Sequence, residues 1–210
     1  MNYRKFSEKV NNYNYFKTNV LKNQFGNFRT FQNQILAWGR EGKVHQLKRG
    51  LYTLNDDERR VPLSPFLISN ILCTPSYVSL ESALAYYGLI PERVSQVTAV
   101  SPKKTKRFQN YYGAFNYQTL KKEVFFGYDF VQDRQDLSVL VALPEKAILD
   151  KVYLDRLVRM EPGYFLEHLR LQHYETLSQR RLKSFAKRFE STKVLRMAKV
   201  LCDLIRQENQ

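Results

Sequence analysis

Apolar residues recur at helical spacing through the first forty positions of the chain and then switch to strand spacing. Tyr3, Phe6 and Val10 share one side of a segment from Asn2 to about Asn11, which predicts a short helix. Phe16 follows in a short extended connection. Thr18 can cap a second helix, Asn19 to Phe25, which Gly26 would end with a left-handed residue. Asn27 can cap a third, Phe28 to about Glu41, in which Phe28, Phe31, Ile35 and Trp38 form the inward stripe. Its opposite face carries Arg29, Thr30, Asn33, Ala37 and Arg40, with Gln32 and Gln34 at the borders, while Leu36 falls off the stripe. Gly42 ends the helix. Two alternating runs, Val44 to Leu47 and Leu51 to Leu54, close on Lys48-Arg49-Gly50 and predict a hairpin. Three helices followed by a hairpin is the order of a winged helix-turn-helix.

The polar run Asn55-Asp56-Asp57-Glu58-Arg59-Arg60, ended by Pro62, marks a boundary between residues 1–58 and 62–210. Beyond it, Leu63 to Cys73 reads as a helix, and Ser79 can cap another from Leu80 to Tyr87 that stops at Gly88. Pro91 then turns the chain. Gln96 to Val100, Ala114 to Leu120, Val124 to Phe130 and Leu137 to Ala142 are β-rich and predict a small sheet. Pro144 opens a helix to about Arg159, and the remainder supplies two or three more. The expected fold class is α+β, a winged helix-turn-helix followed by an α+β domain with a helical C-terminal end.

Charge changes this picture because it is unevenly placed. Lys and Arg number 34 against 20 Asp and Glu, a net +14. Residues 1–54 hold 10 cations and 2 anions (+8), residues 55–150 hold 11 of each, and residues 151–210 hold 13 and 7 (+6). A small segment with two carboxylates is an electrostatic footprint for a polyanion, with double-stranded DNA as the leading partner. On the third helix, Arg29, Thr30, Gln32, Asn33, Gln34 and Arg40 are placed for base edges, since Arg pairs bidentately with guanine and Asn with adenine. On the hairpin, Lys43, His45, Lys48 and Arg49 suit phosphates. Lys103, Lys104, Lys106 and Arg107, bordered by Phe108, Tyr111 and Tyr112, form a secondary basic surface. The C-terminal cations Arg180, Arg181, Lys183, Lys187, Arg188, Lys193, Arg196 and Lys199 lie among Leu177, Leu182, Phe185, Phe189, Leu195 and Leu201, as in amphipathic helices with a basic outer face.

Other chemistries find little footing. No run approaches the length of a bilayer span, no signal-peptide core is visible, and no segment pairs a basic face with a lipid-facing one, so a cytoplasmic protein without membrane contact is expected. Cys73 and Cys202 lie in apolar segments and read as reduced, buried thiols. His168 and His173 are five apart, off the spacing that puts two imidazoles on one helical face, so no metal is expected. There is no P-loop and no GxSxG, and no histidine lies near Ser79 or the cysteines. Asp129, Asp133, Asp136 and Glu145-Lys146 suggest a metal-dependent nuclease, but the adjacent Glu-Lys lacks the one-residue gap that puts a carboxylate and a lysine on one strand face. No catalytic residue and no cofactor is assigned.

Several blocks, taken in order, resemble the AbiEi-type antitoxins of bacterial type IV toxin-antitoxin, or abortive-infection, systems. They are RGLYTL (Arg49 to Leu54), PSYVSLESALAYYGLIPE (Pro75 to Glu92), VTAVSPKKTKRF, GAFNYQ, and ALPEKAILDKVYL (Ala142 to Leu154). The resemblance implies an antiviral-defence protein that represses its own operon by binding promoter DNA and neutralises a neighbouring nucleotidyltransferase-like toxin, with or without direct contact. It places the antitoxin-domain signature on Tyr77, Ser79, Glu81, Ser82, Glu145, Lys146 and Asp150. From the residues themselves, Ser79 reads as a helix cap and Glu145, Lys146 and Asp150 as the acid-rich start of a helix. A homodimer on DNA follows if the operator is palindromic. The alternative is a stand-alone winged-helix regulator whose second domain senses a ligand or pairs subunits.

Overall fold

The computed structural model describes residues 2–21 and 27–208 and is mixed α and β, with two sheets among the described residues. Helix α1 (Tyr3–Val10) starts where the Asn2 side chain accepts a hydrogen bond from the Arg4 amide. Strand β1 (Phe16–Lys17) and helix α2 (Thr18–Leu21) follow. Thr18, expected as a cap, is the first residue of α2, and its amide donates to Gly50 O. The expected course of that helix to Phe25 and its stop at Gly26 fall outside the described residues.

Helix α3 (Phe28–Arg40) begins as the sequence predicts, with the Asn27 side chain accepting from the amides of Arg29 and Thr30. Phe31, Ile35 and Trp38 are buried, whereas Phe28 is 38% exposed and lies off the stripe predicted to include it. Strands β2 (Val44–Lys48) and β3 (Leu51–Leu54) form the hairpin, and β1 pairs antiparallel with β3 to give a sheet of order β1-β3-β2. Gly50, at φ +76°, supplies the left-handed residue of the turn. Phe6, Val10, Phe16, Phe31, Ile35, Trp38, Val44 and Leu54 make one core, with the Phe6 ring stacked on Trp38 at 4.8 Å and edge-on to Phe16 at 5.2 Å.

The hairpin has a second buried side. Strand alternation sends Val44 and Leu54 into the first core and turns His45, Leu47, Leu51 and Thr53 the other way. Leu47 and Leu51 pack with Leu63, Ile68, Leu72, Cys73, Ala99, Phe115 and Tyr117. Each such leucine contributes about 1.5–3 kcal/mol, so the hairpin is wedged between two layers. The polar run after it is knotted: Arg59 donates to Leu54 O (3.0 Å), Thr53 Oγ1 (3.2 Å), Val61 O (2.8 Å) and Asp56 (2.6 Å).

The second sheet has the order β6-β7-β5-β4-β9-β8. Its strands are β4 (Tyr77–Val78), β5 (Gln96–Ser101), β6 (Lys106–Asn110), β7 (Gly113–Thr119), β8 (Tyr128–Gln132) and β9 (Ser138–Ala142). Helix α4 (Pro65–Leu72) and the hairpin cover one face. Helices α5 (Leu80–Tyr86), α6 (Pro144–Leu154), α7 (Gln179–Arg188) and α8 (Thr192–Glu208) cover the other, over a core that includes Leu84, Val100, Val141, Ile148, Leu182, Met197 and Leu201.

Three boundaries differ from the sequence reading. The predicted strand Val124 to Phe130 is split: Lys122–Val124 is a 3-10 turn, and Gly127, at φ +71°, breaks the extended run before β8 begins. The basic run is partly strand, because Lys106 and Arg107 open β6 and pair with Tyr117 and Asn116. Helix α6 stops at Leu154 because Asp155 is extended and its side chain accepts from the Leu157 amide, a local bond that competes with the helix. Cys73 and Cys202 are buried free thiols, as expected. Leu195, expected in the core, is 43% exposed on α8.

Candidate functional site

The outer face of α3 is open. Arg29, Thr30, Gln32, Asn33, Ala37 and Arg40 are exposed and Gln34 is half-buried, so the polar residues predicted to share a face do so. No acidic residue lies in the first turn of α3, and Arg40 sits in its last, where the helix dipole favours a cation. The helix is held from behind by Trp38, whose ring meets Tyr3 edge-on at 5.1 Å. The helix therefore carries two guanidinium groups and the Gln32 and Asn33 amides outward.

The hairpin cations divide. Of the four expected at phosphates, Arg49 is exposed at the tip. Lys43 is half-buried, paired with Glu41 at 2.7 Å and 4.9 Å above the Tyr3 ring. The His45 ring stacks on Tyr111 at 3.9 Å with 6° between planes, and burial pushes its pKa below 6.5. Lys48 turns back to donate to Leu72 O (2.6 Å) and Ile71 O (3.4 Å), the C-terminal carbonyls of α4. Its ammonium thus caps a helix instead of standing free at the tip, which corrects the expectation for that residue; helix C-termini attract cations for the same reason phosphates do.

Lys48 nevertheless belongs to a cluster. Burial lowers its pKa, and the nearby charges of Lys17, Lys106 and Lys103 press in the same direction. Lys103, Lys104, Lys106 and Arg107 are all exposed, and the Lys103 ammonium donates to Thr74 O. The secondary basic surface therefore adjoins the hairpin across the edge strand β6, joined by Asn110 Nδ2 donating to Leu47 O at 3.1 Å. Its bordering aromatics are mostly engaged: Phe108 packs edge-on against Tyr117 at 5.8 Å, and Tyr112 donates to Asp56 at 3.0 Å. Burial alone would raise the Asp56 carboxyl, and hydrogen bonds from Arg59 and Tyr112 reverse that and hold it below 3.8.

The seven residues on which the resemblance would place an antitoxin signature lie around α5 and α6. Tyr77, Ser79, Lys146 and Asp150 are fully buried. Asp150 Oδ2 accepts from Tyr77 Oη (3.0 Å) and Ser79 Oγ (2.9 Å), while the Lys146 ammonium reaches Asp150 Oδ1 and lies 2.9 Å from Tyr77 Oη. The Phe126 and Phe189 rings lie 4.9 and 4.7 Å from that ammonium. Burial pushes Lys146 down and Asp150 up, each against the attraction of the other. Ser79 makes no capping bond, contrary to its reading as a cap, because its hydroxyl goes to Asp150. Glu145 is also buried and accepts from the Ser178 amide (2.9 Å) and Arg181 (3.2 Å), docking α7. Ser82 exchanges hydrogen bonds with Thr98 on β5 (3.0 and 2.8 Å), and Glu81 pairs with Lys151 at 2.7 Å. These side chains join α5, α6 and α7 to the sheet. No solvent reaches the central four, so they form a lock inside the domain.

Three groupings were missed by the sequence reading: the His45–Tyr111 stack, the Arg59–Asp56–Tyr112 clasp, and the polar face of β5 and β7. Only the last carried a signal, because Asn116 and Gln118 alternate with Phe115 and Tyr117. No helix among the described residues is long and apolar enough to cross a membrane. The chain matches no model of a known protein family, and no curated protein matches its sequence significantly.

Proposed function

We propose that this protein is a cytoplasmic DNA-binding autoregulator and antitoxin that carries out no catalysis itself. In this reading, residues 1–58 form a winged helix-turn-helix, with α3 entering the major groove and the hairpin beside a phosphate backbone. The observation that carries it is the exposed face of α3, on which Arg29, Thr30, Gln32, Asn33 and Arg40 stand together on a helix fixed from behind. The net +8 of residues 1–54 supplies the electrostatic attraction. The antitoxin half rests on the resemblance of the residue blocks to AbiEi-type antitoxins, and its partner would be a nucleotidyltransferase-like toxin encoded beside it.

The test is binding to the duplex upstream of the protein's own gene, compared with a random duplex over a salt series. Specific binding that outlasts random binding as salt rises is the expected result; identical affinity for both refutes the regulator. Co-expression with the adjacent gene tests the other half, with growth rescue expected and unrelieved toxicity counting against it. The second reading, a stand-alone regulator with a ligand-sensing domain, is favoured by one observation: an open cleft on the second sheet lined by both polar and apolar side chains.

A further inference from the structure

Strand alternation gives the β5–β7 half of the second sheet two different faces. Ala99, Phe115 and Tyr117 point toward α4 and the hairpin. Thr98 and Asn116 are register partners on the other face, and Val100 and Gln118 are the next such pair. Helix α5 and the segment around Leu169 border this face without closing over it, leaving a cleft of about 500 Å³.

Three chemistries meet in that cleft. Its lining includes three amides, Asn116 and Gln118 on one face of β7 and the exposed Gln96 on the neighbouring β5. Asn116 is half-buried, and its Oδ1 is enclosed there with no hydrogen-bond partner among the described residues. Arg93 is exposed at the rim, and Lys151 is present there with its partner Glu81. Ile90, Val94 and Leu169 supply an apolar wall.

We propose that the cleft binds a nucleoside monophosphate. Side-chain amides present a donor and an acceptor in one plane, which matches the edge of a base. An apolar wall suits the base's flat surface, a carboxylate such as Glu81 accepts from sugar hydroxyls, and Arg93 with Lys151 meets the phosphate. A simple anion would use the cations and leave the amides idle, whereas a nucleotide uses every part. This proposal does not depend on DNA binding.

The experiment is calorimetric titration of the full chain, without DNA, using AMP, GMP, CMP and UMP as probes against their nucleosides and inorganic phosphate. At least one nucleotide is expected to saturate one site below ~1 mM and to raise the melting temperature accordingly. Gln118→Leu should weaken it about tenfold, the loss of one paired edge. Arg93→Ala should reduce the preference for nucleotide over nucleoside. Gln118 is only half-buried, so its variant tests the site even if Asn116→Leu fails to fold. Saturation by none of the four, unchanged affinity in Gln118→Leu, or equal binding of inorganic phosphate overturns the proposal and leaves the DNA reading untouched.

Discussion

Lys146 and Asp150 meet where neither side chain touches water, so each is governed by what it would lose without the other. Removing one partner of such a pair strands a buried charge, at a cost of about 3–5 kcal/mol. Asp150→Ala should therefore lower unfolding free energy by about that amount in urea melts. Lys146→Met combined with Asp150→Leu should cost less than the sum of the single changes, because no buried charge is left unpaired, although the Tyr77 and Ser79 hydroxyls lose their acceptor. Additive losses would show that the two are not coupled. Gly127 belongs to the same lock: a Cβ there would lie 3.1 Å from Lys146 Cγ, on backbone at φ +71°. Gly127→Ala is expected to destabilise by about 1–2 kcal/mol, from left-handed strain plus displacement of the lysine stem. The sequence showed these residues as a block but not as a lock, since the i, i+4 pair on α6 becomes a buried pair only when Tyr77 and Ser79 arrive from β4 and its edge.

At the scale of an element, the hairpin is tied down on the side that faces the second sheet. His45 is a weaker base in the fold than in the open chain, because burial against Tyr111 disfavours the imidazolium. As pH falls through 6.5, the unfolded chain takes up the proton first, so this contribution is complete above that value and is lost on acidification. Asp56, held below 3.8, adds a second loss at still lower pH, as its carboxylate is protonated. The drop in melting temperature from about pH 7.5 to about pH 5.5 should shrink in His45→Phe, which keeps the stack and removes the titration. A separate comparison distinguishes the two tip cations. Lys48→Met should cost about 1 kcal/mol of stability by uncapping α4, whereas Arg49→Ala should leave stability unchanged and flatten the salt dependence of DNA binding. On α3, Asn33→Ala should weaken specific binding by about 1–3 kcal/mol and random binding little. Equal effects of Asn33→Ala and Arg49→Ala on specific and random duplexes would refute this division.

For the whole molecule, the chain boundary at residues 55–62 is no hinge, because the hairpin's second side is part of the core formed with α4 and the sheet. A fragment of residues 1–61 retains its aromatic core but exposes Leu47 and Leu51, which at about 1.5–3 kcal/mol each is a large share of a small domain's stability. It should melt well below the full chain and self-associate, and Leu47→Ser with Leu51→Thr should reduce the association without restoring stability. Melting at the temperature of the full chain would show that the hairpin contact carries no weight. If the hairpin approaches DNA, the sheet packed against it comes with it, and β6, which begins with the exposed Lys106 and Arg107, is bonded to the hairpin through Asn110.

Local pattern was sufficient wherever the deciding interactions lie within a few residues. The cap at Asn27, the polar face of α3, the turn at Gly50 and the start of α6 at Pro144 all follow from neighbours along the chain. Even the two-sided hairpin was written in the opposite parity of Val44 and Leu47, though alternation alone does not say what lies against the second side. Tertiary structure decided where charge and hydroxyl groups go. It turned Lys48 from the tip onto a helix end and drew Ser79 away from its cap to Asp150. Each of these depends on a partner more than twenty residues away, where polar side chains choose by distance and desolvation rather than by spacing in the sequence.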